Sequence, residues 1–160
     1  CTRADVYEGL GNSYGTLSER QPTNKVSLVT KAIEMYQKAL ELDPSKGNIH
    51  YNLGIAQLQT NPSASVVSFE KALALMPYKE NEILPILGLS LLNSTKYQEA
   101  IDILSKGIQI GVLSETIYYH RGLAYMGLNN RNSARVDFEK ALTINPNNKE
   151  ILARKTALGL

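Results

Sequence analysis

Apolar and small residues recur with the spacing of a helix face, most clearly in residues 118–146. The first part carries them at i, i+4 and i+7, as Tyr118, Gly122 and Tyr125. The second part repeats this spacing with Ala134, Phe138 and Ala141. The Asn-rich segment 128–132 between them favours a turn and a helix N-cap. This stretch therefore predicts two amphipathic helices joined by a tight turn, and Pro146 ends the second helix.

The same marks return along the chain at a nearly constant period. The glycine of the first helix recurs at two equal intervals, as Gly54, Gly88 and Gly122. The small residue of the second helix recurs in nearly equal steps, as Ala39, Ala72, Gly107 and Ala141. A large side chain precedes each of these by one turn of helix, as Tyr36, Phe69, Leu104 and Phe138. Such a period is typical of stacked helical units, none of which buries its apolar face alone.

This order of aromatic, small and aromatic residues, followed by Ala, Phe, Ala and Pro, resembles the tetratricopeptide repeat, a helix–turn–helix whose period is about 34 residues. The resemblance implies an all-α fold, a right-handed superhelical solenoid of antiparallel helix pairs. We expect a single domain over residues 1–160, with repeats at about 4–45, 46–78, 81–113 and 115–146. The terminal helix, 147–160, is either a cap over the last apolar face or the first helix of a truncated fifth repeat.

The first repeat is longer than the others, because Gly11 and Gly54 are further apart than the glycines that follow. We expect its helices at about 4–16 and 25–42. Gln21, Pro22 and Asn24 predict a loop for the extra residues between them. That loop is either a tolerated insertion or a contact site.

Local signals predict where several helices begin. Capping residues pair as Asn61 with Pro62, Thr95 with Gln98, and Asn147 with Glu150. Pro85 is expected near the start of its helix, because a missing amide hydrogen does little harm only in the first turn.

The functional expectation comes from the resemblance. In that family the first helix of each repeat lines an inner groove, which holds an extended peptide or a helix of a partner. The residues carried over to this groove are Glu8, Asn12, Tyr51, Asn52, Ile55, Gln59, Ile86, Leu89, Tyr119, His120, Leu123 and Met126. Because the set is rich in apolar and aromatic side chains, we expect a largely apolar segment, bound by a non-catalytic adaptor that aids complex assembly. The alternative for each apolar position is packing between repeats.

One known ligand class fits poorly. The chaperone-binding members of the family hold a C-terminal carboxylate with two lysines, an arginine and two asparagines. Asn12 and Asn52 match the asparagines, whereas Glu8, Glu82 and Ile86 stand where the cations belong. An Hsp70 or Hsp90 tail is therefore not the expected partner.

Charge narrows the classes of partner further. The net charge of +2 gives no strong electrostatic reason to bind nucleic acid or an anionic membrane. From Arg121 onward the sequence contains seven Lys or Arg residues and three Asp or Glu residues. This excess indicates a solvated surface with an uneven distribution of charge. An RNA-binding helical repeat fits the period and the Ala, Phe, Ala and Pro marks less well than a protein-binding one.

Catalytic chemistry is not indicated. His50 and His120 lie two repeats apart along the array, so they cannot share a metal ion. We expect His50 to be a hydrogen-bonded core residue. No nucleophile, base and orienting group converge, and we predict no enzyme activity, no cofactor and no metal site.

The single cysteine, Cys1, leaves two alternatives open. It is either an arbitrary domain boundary or the lipidated start of a mature bacterial lipoprotein. The alternative to an adaptor is a structural spacer or a self-associating scaffold within a longer protein or a lipid-anchored bacterial envelope protein, and a membrane is expected only if Cys1 is lipidated. Otherwise a cytoplasmic location is expected.

Overall fold

The computed structural model describes residues 2–157 and 159, and these residues form helices and turns with no strand. The helices are α1 (Arg3–Arg20), α2 (Lys25–Leu42), α3 (Gly47–Leu58), α4 (Pro62–Leu75), α5 (Glu80–Asn93), α6 (Tyr97–Gln109), α7 (Glu115–Gly127), α8 (Arg131–Ile144) and α9 (Lys149–Ala157). Short 3₁₀ turns cover Pro22–Asn24 and Pro77–Lys79. The predicted all-α class is confirmed.

The helices pack as consecutive pairs within two compact units, one up to Lys79 and one from Glu80 onward. In the first unit α1 packs on α2, α3 packs on α4, and α2 also contacts α3. In the second unit α5 packs on α6, α7 packs on α8, α6 also contacts α7, and α9 packs on α8. Each unit thus contains two helix–turn–helix pairs. A single domain over 1–160 stays a prediction.

In every pair a glycine of the first helix meets a large side chain of the second. A Cβ built on the glycine would lie 2.5 Å from that side chain for Gly11 and Tyr36, 2.9 Å for Gly54 and Phe69, 2.4 Å for Gly88 and Leu104, and 2.6 Å for Gly122 and Phe138. Carbon atoms in ordinary contact are about 3.5–4.0 Å apart, so any side chain at these glycines would push the helices apart. The prediction that Gly11 is a packing residue is confirmed.

The prediction of a long loop in the first repeat is wrong. Helix α1 continues to Arg20, and only residues 21–24 separate it from α2. Both helices have 18 residues, against 12 and 14 in the next pair. The extra residues lengthen the α1–α2 contact instead, because Ser18 and Val29 are buried in the added turns. Burial of these turns stabilises helix at residues 17–20, where loop was expected, whereas Gln21, Pro22 and Asn24 do lie in the connection.

The predicted caps have mixed outcomes. Asn61 is an N-cap, since its side chain accepts a hydrogen bond from the Ala64 amide at 3.1 Å. The predicted box at Thr95 and Gln98 is wrong, because α6 begins after Lys96 without a side-chain cap. Thr95 has φ 60° and belongs to the turn that ends α5, where the Lys96 amide donates to the Leu91 carbonyl. An N-cap requires extended backbone instead.

Two further expectations about helix starts need correction. At α9 the capping residue is Asn148, one position after the predicted Asn147, and its Oδ1 accepts from the amides of Glu150 and Ile151 at 3.0 and 3.1 Å. Pro85 lies inside α5, at its sixth residue, beyond the first turn. The reason is that α5 already begins at Glu80, directly after a 3₁₀ turn, with acidic residues in its first turn that favour this start.

A buried ion pair joins three helices of the second unit. Asp137 on α8 is 1% exposed, and it accepts from Nε and Nη2 of Arg121 on α7 at 2.8 and 2.7 Å. Nη1 of Arg121 also donates to Oγ of Ser105 on α6 at 2.9 Å. The guanidinium lies 5.9 Å from the ring centroids of both Tyr118 and Tyr125. The hydrogen bonds to Asp137 raise the pKa of Arg121, which stays charged.

Helix α1 begins with a reciprocal cap. Oγ1 of Thr2 accepts from the Asp5 amide at 3.2 Å, and Oδ2 of Asp5 accepts from the Thr2 amide at 2.6 Å. Nζ of Lys46 donates to Oδ1 of Asp5 at 3.1 Å. The Thr2 amide, followed by Lys46, lowers the pKa of Asp5 to about 2.

We expect Asp5 to make part of the stability depend on pH. Its folded pKa lies below the unfolded value of about 3.9, so its contribution is complete above that value. It is lost as the pH falls towards about 2, where the folded carboxyl takes up its proton. In thermal melts over this range, Asp5→Asn should lose less stability on acidification than the wild type. Glu34→Gln, an exposed change on α2, is the control. An Asp5→Asn profile parallel to the wild type would contradict the assignment.

Candidate functional site

The predicted groove residues all lie on first helices of the pairs or at their ends. In the first unit they belong to α1 and α3, as Glu8, Asn12, Tyr51, Asn52, Ile55 and the C-cap residue Gln59. In the second unit they belong to α5 and α7, as Ile86, Leu89, Tyr119, His120, Leu123 and Met126. We call these sets the first-unit face and the second-unit face.

On the first-unit face the two predicted asparagines come together. Oδ1 of Asn12 accepts from Nδ2 of Asn52 at 3.1 Å and from the Tyr36 hydroxyl at 2.8 Å. Burial raises the pKa of Tyr36 to about 12, so its hydroxyl remains a donor at neutral pH. The Asn12 amide is therefore held in one orientation, with its nitrogen left for other partners.

An open depression surrounds these asparagines. It measures about 420 Å³ and is lined by Asn12, Gly15, Thr16, Glu19, Tyr36, Asn52 and Ile55. A smaller cavity beside it is lined partly by Ile55 and Gln59. The sequence did not indicate Glu19, because α1 was expected to end at 16 and continues to Arg20. Gly15 and Thr16 lay within the expected helix but were not among the positions carried over from the family. The helical spacing from Asn12 places Thr16 and Glu19 on the same face.

Two other members of the first-unit face have local partners. Oε1 of Glu8 accepts from Nδ2 of Asn48 on α3. The Tyr51 ring packs edge-on against Phe69, with centroids 5.7 Å apart. Tyr51 is half-buried and therefore contributes to packing within its own pair.

On the second-unit face the aromatic residues form a cluster. The Tyr119 ring lies 5.8 Å from that of His120 and 5.9 Å from that of Phe138. The Tyr119 hydroxyl donates to Oε1 of Glu150 on α9 at 2.5 Å. Burial, followed by Glu150, raises the pKa of Tyr119. Tyr119 thus links α7 to α9.

His120 has an unsatisfied polar atom. Its Nδ1 is buried and has no hydrogen-bond partner among residues 2–157 and 159. Burial lowers the pKa of His120, which favours the neutral ring at physiological pH. A neutral, enclosed imidazole is consistent with packing rather than with pairing to an anion.

Leu123 and Met126 line a pocket of about 200 Å³ between α7, α8 and α9. Its other lining residues are Arg131, Phe138, Arg154 and Ala157. We call it the α7–α9 pocket. Ile86 and Leu89 lie half-buried on α5, which packs against α6 and α7. Of the second-unit face, the pocket contains only Leu123 and Met126.

Residues that could support other chemistry are placed elsewhere. His50 is buried, and its Nε2 lies 3.0 Å from the Pro44 carbonyl oxygen, so the prediction of a hydrogen-bonded core histidine is confirmed. The described part of the chain contains no group of three or more His, Cys, Asp or Glu side chains placed to hold a metal ion. None of its helices has the length and apolar character to cross a bilayer. Cys1 lies outside the described residues.

Comparison with known families supports the predicted repeats. Residues 29–61, in α2 and α3, match the TPR repeat model, and residues 116–148, in α7 and α8, match the tetratricopeptide repeat model. The chain therefore contains tetratricopeptide repeats. It is similar to small glutamine-rich tetratricopeptide repeat-containing protein 2 of Mycosarcoma maydis, with 31% identity over 93 residues. That match covers 58% of this chain and 26% of the relative, so the match spans about a quarter of the relative's length.

Solved structures share the tetratricopeptide fold of this chain. A structure of MamA from Desulfovibrio magneticus RS-1 has a TM-score of 0.76 at 20% identity, covering 93% of this chain and 83% of that one. A crystal structure of MamA has a TM-score of 0.75 at 24% identity, covering 88% and 81%. At these identities the likeness shows the fold.

The family also gives the general mode of action. Tetratricopeptide repeats are in general protein-interaction modules. Proteins with this fold are typically non-catalytic scaffolds.

Proposed function

We propose that the chain binds an extended or helical, largely apolar segment of a partner protein along the first helices of its repeats, and so aids assembly of a complex. The observation that carries this proposal is the hydrogen-bonded pair of Asn12 and Asn52 beside Ile55, in the open depression of the first-unit face. The two asparagines offer groups that can hydrogen-bond a peptide backbone, and Ile55 beside them offers an exposed apolar side chain.

The hydrogen-bonding capacity of this pair suits a peptide backbone. Oδ1 of Asn12 is occupied by two donors, which leaves the Asn12 amide nitrogen and the Asn52 carbonyl oxygen. A donor and an acceptor together match the carbonyl and amide groups of an extended segment. Ile55, which is 37% exposed, offers apolar contact next to them.

The charge of the depression argues against an acidic tail as its ligand. Glu19 is among its lining residues, and no Lys or Arg lines it. A terminal carboxylate placed there would meet a like charge and no cation. This supports the exclusion of an Hsp70 or Hsp90 tail, and we propose an uncharged, apolar stretch instead.

The test compares the wild type with Asn52→Ala combined with Ile55→Ser. Tyr51 is left intact because its ring packs on Phe69. Val67→Ser on α4 is the matched control, since Val67 is exposed (51%) and lies on the second helix of the same pair. We expect proteins captured from a lysate by the wild type to be lost with the double variant. For an identified partner segment, the dissociation constant should rise roughly tenfold.

Two results would count against the proposal. If the double variant held the partner as tightly as the wild type while Val67→Ser lost it, binding would belong to the second helices. If only further copies of this chain were captured, the self-associating scaffold would be favoured. An apolar stripe on α1, formed by Val6, Leu10 and Leu17 with exposures of 54%, 42% and 38%, would then be the first surface to examine.

A further inference from the structure

The α7–α9 pocket combines an apolar lining with two cations. Leu123, Met126 and Phe138 supply the apolar side chains, and Arg131 on α8 and Arg154 on α9 supply the charge. The pocket includes residues of the helix that follows the last pair. Helix α9 therefore builds part of a concave site in addition to covering Phe138 and its neighbours with Ile151.

Both arginines lack an anionic partner. Neither forms an ion pair with any residue that the structure describes, in contrast to Arg121, which is paired with Asp137. The acidic residue one turn before Arg154 on α9 is Glu150, and its carboxylate accepts from the Tyr119 hydroxyl. Arg154 lies beside the Tyr119 hydroxyl and partly offsets the rise that burial causes in the Tyr119 pKa, but it forms no ion pair of its own. Two guanidinium groups without an ion pair beside an apolar surface are complementary to a carboxylate carried next to an apolar group.

The size of the pocket limits what can enter it. A cavity of about 150 Å³ holds benzene, and pockets for drug-sized ligands begin at about 300 Å³. At about 200 Å³ the α7–α9 pocket has room for one large apolar side chain. A leucine or phenylalanine side chain meets this limit.

We propose that the α7–α9 pocket binds a partner's internal peptide segment in which a leucine or phenylalanine is flanked by aspartate or glutamate. The apolar side chain lies over Leu123 and Met126, with the buried Phe138 ring behind them, and the flanking carboxylates pair with Arg131 and Arg154. This inference rests on the proposed function, because Leu123 and Met126 belong to the same first-helix faces. The α7–α9 pocket thus prefers a segment with acidic residues, whereas the first-unit depression does not.

The test is an NMR titration, at low salt, of the whole chain with the tripeptide Glu-Phe-Asp. The peptide is acetylated at its N-terminus and amidated at its C-terminus. We expect shifts of the Leu123 and Met126 methyl signals. Arg131→Gln and Arg154→Gln should each weaken binding about fivefold, and added salt should weaken it further. Arg135→Gln is the matched control, because Arg135 is exposed on α8 and does not line the pocket.

Three outcomes would overturn the inference. The first is a titration that leaves the Leu123 and Met126 signals unmoved up to millimolar peptide. The second is equal binding of the neutral tripeptide Gln-Phe-Asn, or equal loss with Arg135→Gln. The third is tighter binding of Gln-Phe-Asn with a free C-terminal carboxylate, which would assign the pocket to chain termini. If partner capture still depended on Asn52 and Ile55, only the pocket assignment would fall.

Discussion

Asp137→Ala should lower the free energy of unfolding by about 3–5 kcal/mol, because it leaves a largely buried guanidinium without its carboxylate. Arg121 donates two hydrogen bonds to Asp137 and one to Ser105, and its side chain is only 18% exposed. The change thus removes the carboxylate that neutralises this charge inside the second unit. Urea denaturation followed by circular dichroism measures the loss.

A paired replacement separates the lost charge partner from lost packing. Arg121→Met combined with Asp137→Leu removes both charges and keeps apolar volume, so it should recover much of the stability that Asp137→Ala loses. Recovery would show that the penalty comes from an unpaired buried charge. A loss below about 1 kcal/mol for Asp137→Ala, the size of an exposed pair, would contradict the burial of this ion pair.

Gly122→Leu should destabilise the fold by about 1–3 kcal/mol, because it overpacks the contact between α7 and α8. A Cβ at this position would already lie 2.6 Å from the Phe138 ring, and the ring is fully buried. The additional atoms of leucine would force the two helices apart. A shift of the denaturation midpoint with an unchanged slope is the expected observation.

The glycines of the chain offer a matched control for this prediction. Gly9 lies on α1, and a Cβ there would meet no atom within 4 Å. Gly9→Ala should therefore stabilise the protein by up to about 1 kcal/mol through helix propensity, whereas Gly122→Ala should not. The same chemical change would then act oppositely at the two sites. Equal effects would show that α7 and α8 do not approach as closely as described.

The contacts within the repeats could be predicted because each helix pair has the same close approach between its two helices. Each pair brings its helices so close that the first helix has no room for a side chain at one position, and the glycine at that position recurs at equal intervals in the last three pairs. Helix ends were less predictable. Thr95 looked like an N-cap from its neighbour Gln98, yet its φ of 60° places it in the turn that ends α5. A residue type alone does not reveal which of two adjoining helices a turn belongs to.

The candidate sites were predictable in part. Repeat equivalence put Asn12 and Asn52 on corresponding faces, but their hydrogen bond depends on how closely α1 and α3 approach. The excess of basic residues after Arg121 was visible in the sequence only as an uneven scatter of charge. In the structure three of the seven basic residues have distinct settings: Arg121 is largely buried, and Arg131 and Arg154 line the pocket.

The sequence by itself determined the helical class, the period of the pairs and the glycine contacts, because these follow from spacing along the chain. Only the tertiary structure decided the length of α1, the partner of Arg121 and the composition of the α7–α9 pocket. Each of these depends on side chains from different helices that meet in space. Local spacing carries no information on how far a buried contact extends or which distant charge will neutralise another.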